Sequence, residues 1–250
     1  MPRFVGFVPR FIGLFGAVAI VASAQTVSAA DMPVKTAPPS AATIVAPNWA
    51  GFYVGIAGGY GWGRAEQTDA TPFSSGSYDT AGGVIGGNLG YNWQSGPVVF
   101  GLETDLSYAN ITGSTVGTDP ASGHCNVPVT PPHCDSSIAA LGTVRGRVGY
   151  TWKNLLPYVT GGLAYGKLNG SEGVPGTGGS GSAWAAGWTV GAGLEAALAP
   201  NWSAKVEYLY VDLGNPTVFN DVFIGVTVPQ SVRTTASIVR LGVNYRFGSL

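Results

Sequence analysis

From Trp49 to Phe247 large apolar residues recur at a spacing of two, and glycine, small polar residues or ionised groups fill the positions between them. A period of two sends successive side chains to opposite faces of an extended strand. Phe52, Val54, Ile56, Tyr60 and Trp62 thus share one face, with Gly55, Ala57, Gly59 and Gly61 on the other. Ile85, Leu89, Tyr91 and Trp93 alternate with Gly86, Asn88, Gly90, Asn92 and Gln94. Val98, Phe100, Leu102, Leu106 and Tyr108 alternate with Gly101, Glu103, Asp105 and Ser107. A soluble sandwich with an aromatic core does not account for ionised groups in mid-strand on the second face. A closed barrel with its large apolar face in lipid does.

Five more segments follow the same rule, near 138–152, 158–168, 184–198, 202–213 and 232–247. In the last, Val239, Leu241, Val243, Tyr245 and Phe247 oppose Arg240, Gly242, Asn244 and Arg246. The expected fold is all-β, an eight-stranded antiparallel up-and-down transmembrane β-barrel. Its connections alternate in length, as they do in outer-membrane barrels. Gln94–Pro97, Lys153–Pro157 and Ala199–Asn201 are short, whereas 63–82, 110–136, 169–183 and 214–231 are long and rich in Gly, Ser, Thr and Pro. With an even strand number both termini fall on the short-turn, periplasmic side, and the long loops face outward.

Composition supports a lipid-facing wall. Only 10% of residues are charged and 45% are hydrophobic, against roughly a quarter charged in soluble domains. Beyond the N-terminus no stretch is apolar for the ~18 residues that a spanning helix needs. The formal charge of −1 lacks the basic excess of a nucleic-acid binder, so no nucleic-acid partner is expected. Residues 1–29 have the layout of a secretory signal peptide. Arg3 and Arg10 supply its basic end, Phe11–Ala24 its apolar stretch and Val27-Ser28-Ala29 its small-residue cleavage site. Cleavage before Ala30 leaves ten basic and thirteen acidic residues, a charge of −3. Residues 30–47, with Pro33, Pro38, Pro39 and Pro47 among Ala, Ser and Thr, read as a periplasmic tether. The barrel then occupies 48–250.

Tyr and Trp have an apolar body and a polar edge, which suits headgroup depth. The phrase Gly-Tyr-x-Trp recurs at 59–62, 90–93 and 149–152. The aromatic belt is therefore assigned to Tyr60, Trp62, Tyr91, Trp93, Tyr150, Trp152, Tyr245 and Phe247, with Trp62 at the outer rim.

Four blocks carry a family resemblance: Asn48-Trp49-Ala50-Gly51-Phe52-Tyr53-Val54-Gly55, Leu141 to Tyr150, Pro157 to Gly166, and the final strand. The chain resembles the small alphaproteobacterial outer-membrane barrels called porin-like or surface-immunogenic proteins, related in architecture to the OmpA membrane domain. The resemblance implies residence in the cell outer membrane, contact with its lipid and lipopolysaccharide, and assembly by the general barrel-insertion machinery. That machinery reads a last strand ending in an aromatic, which Phe247 matches. Gly248-Ser249-Leu250 follow it, whereas such chains usually stop at the aromatic.

Glu103, Asp105, Arg145, Arg147, Glu195, Lys205, Glu207 and Arg240 fall on the lumen-facing parity, four acids and four bases. Opposite charges in equal number fit a hydrogen-bonded network filling a lumen only wide enough for side chains. The same residues could line a gated path for water or small ions. Cys125 and Cys134 most simply form a disulfide in an exported chain. His124 and His133 beside them raise a zinc alternative, although adjacent His-Cys residues are awkward to aim at one tetrahedral ion. No metal or cofactor is assigned. The same two histidines, both in a loop, are the only ones available to a lipid-modifying hydrolase, so no catalytic residues are expected. A soluble lipocalin-like binder would need polar outward residues. The expected role is structural and surface-exposed, with a small-solute channel as the alternative.

Overall fold

The computed structural model describes residues 47–68, 74–115, 134–172, 179–223 and 226–247. The expected signal peptide, nearly all of the expected tether, His124, Cys125, His133 and residues 248–250 lie outside them. The chain forms β1 (Gly51–Thr68), β2 (Tyr78–Ser95), β3 (Val98–Thr115), β4 (Cys134–Tyr150), β5 (Leu155–Glu172), β6 (Ser180–Ala197), β7 (Trp202–Asp212), β8 (Thr217–Phe223) and β9 (Val226–Phe247). All pair antiparallel in the order β1-β2-β3-β4-β5-β6-β7-β9, and β1 pairs with β9 to close the ring. Closure leaves no continuous free edge.

Nine segments make eight barrel positions because β8 continues β7 along the same neighbour. β7 pairs with β9 up to Asp212↔Thr235, and β8 resumes at Thr217↔Ser231. Between them the backbone stays tied to β9: Leu213 N–H donates to Thr234 O (3.1 Å) and Val232 N–H to Pro216 O (3.0 Å). The interruption is local chemistry. Asp212 Oδ1 accepts from Gly214 N–H at 2.8 Å, Gly214 takes φ +70°, and Pro216 has no N–H to give.

Two expectations about the outward side need correction. The segment 214–231 is a β-hairpin rather than a loop, and the strands beside the other long connections run well beyond the predicted ends. β1 reaches Thr68, β3 reaches Thr115, β4 starts at Cys134, β5 runs to Glu172 and β6 starts at Ser180. The cause is a reversal of polarity along each strand. Low on the wall the outward residues are apolar, such as Leu106 and Leu163, 58% and 68% exposed. Higher up, Thr112, Ser137, Asn169 and Ser182 point outward on one cross-strand row, while Ile111, Ile138 and Leu168 are buried inside. The same happens on β9, where Arg233 is outward and Val232 and Ala236 are buried. Past the lipid the barrel follows water-soluble rules, apolar inside and polar outside.

The belt residues ride on the outer wall. Tyr60, Trp62, Trp93, Tyr150, Trp152 and Phe247 are exposed, and Tyr91 and Tyr245 half-buried against aromatic neighbours. Trp184, Trp188, Trp202, Tyr108 and Phe100 join them. At the short-turn end the aromatics stack edge-on: Phe52 with Tyr91 at 4.6 Å and Trp202 with Tyr245 at 5.1 Å.

Candidate functional site

The interior is stacked in layers. At the short-turn end Trp49 is fully buried with Val99 and Leu156. Its N–H donates to Gln94 Oε1 (2.7 Å), its carbonyl accepts from Asn92 Nδ2 (3.0 Å), and the Arg246 guanidinium lies 4.6 Å from its ring centre. Arg246 also donates to Asn48 O at 2.8 Å, so the residues just before β1 are folded into the base of the barrel. Sequence reasoning placed Arg246 on the inward face without a role and gave Trp49 no place inside. The signal for Trp49 is weak, since it stands three residues rather than two before Phe52, the first residue of the outward face.

Above this base sits the charge network. Glu103 on β3 accepts from Arg145 Nη2 (2.5 Å), from Lys205 Nζ (2.9 Å) and from the Tyr53 hydroxyl (2.8 Å). Asp105 Oδ2 accepts from the Thr143 hydroxyl (2.6 Å), Arg145 Nη2 (3.1 Å) and Arg240 Nη2 (3.0 Å). Glu207 accepts from Arg145 Nη1 (3.0 Å), the Tyr158 hydroxyl (3.0 Å) and Arg240 Nε (2.7 Å). Glu195 takes Arg147 Nη2 (2.8 Å), the Ser203 hydroxyl (2.5 Å) and Asn244 Nδ2 (3.0 Å). Asn244 in turn accepts from Asn88 Nδ2 at 3.1 Å. The eight charged residues assigned from parity all point inward and are at most 5% exposed.

Every position of the ring contributes. Tyr53 comes from β1, Asn88 from β2, Glu103 and Asp105 from β3, Arg145 and Arg147 from β4, Tyr158 from β5, Glu195 from β6, Lys205 and Glu207 from β7, and Arg240 and Asn244 from β9. Room for these long side chains comes from glycine. Tyr53 pairs across strands with Gly90 and Tyr158 with Gly193, and each ring lies where a Cβ would be, 2.4 and 2.5 Å away. The two rings flank the Arg147 guanidinium at 5.3 and 4.6 Å, a cation–π arrangement. A fifth buried cation, Arg246, unbalances the equal count expected from sequence.

The expectation that the charge network fills the lumen needs a further correction. Above the network Val84, Ile111, Ile138, Leu168, Leu209 and Ile238 belong to one buried apolar cluster. A polar rim caps it: Gln67 Nε2 donates to Tyr78 Oη (3.2 Å), Asp135 O (3.0 Å) and Ser136 Oγ (3.2 Å), and Tyr78 hydrogen-bonds Ser136. These residues fall in the segments 63–82 and 110–136, whose composition reads as loop, where alternation assigns no facing. Cys134 is buried at the start of β4, while its expected partner Cys125 lies outside the described residues.

A ring of eight antiparallel strands, lipid-compatible outside and filled with ion pairs inside, is the architecture of a small membrane barrel, and the family model named outer membrane protein beta-barrel domain matches residues 17–247. The chain belongs to that family. This outer-membrane barrel is 38% identical to the 31 kDa outer-membrane immunogenic protein of Brucella melitensis, over 90% of this chain and 95% of the relative. It is 32% identical to the 25 kDa outer-membrane immunogenic protein of Brucella canis, over 92% and 94%. Among solved structures the outer membrane protease OmpT of Escherichia coli overlays with a TM-score of 0.53 at 8% identity, covering 79% of this chain and 97% of that one. That likeness concerns the fold alone.

Proposed function

We propose that the protein is a structural, surface-exposed barrel that contributes to the integrity of the outer membrane and neither catalyses a reaction nor conducts solutes steadily. The observation carrying this reading is the filled interior: buried side chains from every ring position meet in one ion-pair network, with Trp49 beneath it and an apolar cluster above. Eight strands enclose only enough space for side chains, and here that space is occupied at three successive levels. The relatives named as immunogenic outer-membrane proteins support a role in which the outward side is displayed.

In this reading residues 1–29 are removed on export, both termini face the periplasm, and Cys125 pairs with Cys134 to brace the largest outward loop. The insertion machinery assembles the barrel, and outer-membrane lipid and lipopolysaccharide surround it. Planar-bilayer recording of the purified protein tests the reading. Closed baselines with at most brief, small openings are expected. Large steady conductance on the scale of a general porin overturns it and makes solute diffusion the primary role. Fractionation is the companion test. Recovery with outer membranes and heat-modifiable migration on gels are expected, and recovery in the soluble periplasm overturns the reading.

A further inference from the structure

Above the aromatic belt, the outer wall of β3 to β6 is hollowed into a concavity of about 770 Å³ lined by Ser, Thr, Asn, Asp and Gly. Two cross-strand rows build it. The lower runs Thr112, Ser137, Asn169 and Ser182, in register from β3 to β6. The upper runs Ser114, Asp135, Ser171 and Ser180. Alternation turns these side chains away from the barrel interior, and the inward residues between them close the floor. Asn169 Nδ2 donates to Ser137 Oγ at 3.1 Å and the Ser171 hydroxyl to Asp135 Oδ2 at 3.5 Å. The hydroxyls and amide of the wall can each give and take hydrogen bonds, and the volume falls in the range of ligand sites.

What lies directly below identifies the ligand. The next row down is Tyr108, Ala140, Lys167 and Trp184, with Tyr108 and Trp184 67% and 64% exposed. Lys167 thus stands in register beside Trp184 and one strand removed from Tyr108, rings of the kind that settle at headgroup depth. Lower still come Val144 and Leu163, 50% and 68% exposed. The same strands therefore present, from top to bottom, a polyol-compatible hollow, a cation among aromatics and an apolar wall. Sugar, phosphate and acyl chain occur in that vertical order in one class of molecule.

We propose that this face of β3–β6 is a binding site for a phosphorylated glycolipid of the outer leaflet, its sugars in the hollow and its phosphate on Lys167. The proposal rests on the outer-membrane reading above and extends it to a defined lipid contact. A soluble glycan would use the hollow without needing the apolar wall. An ordinary phospholipid would use Lys167 and the wall without needing the hollow.

The test uses the purified full-length protein in nanodiscs, loaded separately with rough-form lipopolysaccharide, its dephosphorylated form, phosphatidylglycerol, and the deacylated phosphorylated oligosaccharide. Lipid retained per barrel after detergent exchange is read by native mass spectrometry. The unmodified protein should retain rough-form lipopolysaccharide well above the other three. Lys167→Gln should lower retention about tenfold, the worth of one charge-assisted hydrogen bond, and Ser137→Leu with Asn169→Leu should lower it similarly by filling the hollow. Arg233→Gln, on β9, should change nothing. Each variant is checked for heat-modifiable migration, and a double variant that does not fold is replaced by Asn169→Leu alone. Equal retention of phosphatidylglycerol, equal binding of the deacylated sugar, or full retention by folded Lys167→Gln overturns the proposal. A protein that fractionates with outer membranes yet retains no lipopolysaccharide overturns this inference alone.

Discussion

Arg145 meets Glu103, Asp105 and Glu207 within 3.1 Å, and its side chain is wholly buried. Arg145→Ala leaves three carboxylates short of a partner where water does not reach, and breaking such a pair costs about 3–5 kcal/mol. Urea titration in lipid vesicles, followed by loss of heat-modifiable migration, should show this. Arg145→Lys should recover only part, because one ammonium cannot fork to carboxylates on two strands as a guanidinium does. Gly90→Val should also destabilise, by about 1–3 kcal/mol for overpacking, since the new Cβ meets the Tyr53 ring. The same assay in urea measures it. Alternation carries the facing of Glu103 or Arg145. It carries nothing of which partner each one meets, because that depends on how far neighbouring strands are staggered around the ring. For the same reason Tyr53 and Tyr158 went unassigned: each fits its place only because a glycine stands opposite on the next strand.

Strand limits were legible at the short-turn end and not at the other. Ser95-Gly96-Pro97 and Ala199-Pro200-Asn201 announce tight turns by composition, and Gly96 takes φ +58°. Outward of the belt, Gly, Ser and Thr normally signal loops, yet here they keep the period of two with the polarity reversed. Ile111 beside Thr112 and Val232 beside Arg233 are the trace of that reversal, which a search for outward apolar residues passes over. At this scale accessibility discriminates. Cysteines replacing Ser75 and Asn220 should label in intact cells with a membrane-impermeant reagent, as should one at Gly178, which lies outside the described residues. One replacing Ser95 should label only after the outer membrane is opened, and the opposite pattern means an inverted barrel. Gly214→Val should weaken the β8–β9 hairpin without abolishing the barrel, because its left-handed backbone costs a branched residue about 1–2 kcal/mol. Protease sensitivity confined to the region after Asp212 would register it.

For the molecule as a whole, the base and the network each contribute to closing the lumen. Trp49→Ala removes the largest side chain at the base, for about 3–5 kcal/mol of stability. It should nevertheless leave bilayer recordings closed, since the Arg145 network stands intact above it. Steady channels from that variant alone would mean that Trp49 is the sole seal. The ring itself governs how such a chain comes into being. Its closing ladder joins the first strand to the last, from Phe52↔Phe247 to Thr68↔Ser231, so until the final residues emerge β1 has an unsatisfied edge. Contacts so distant in sequence form slowly, and an open edge invites pairing with other chains. Completion is thus a single late event. Before it, the chain in transit depends on being kept apart from its own copies.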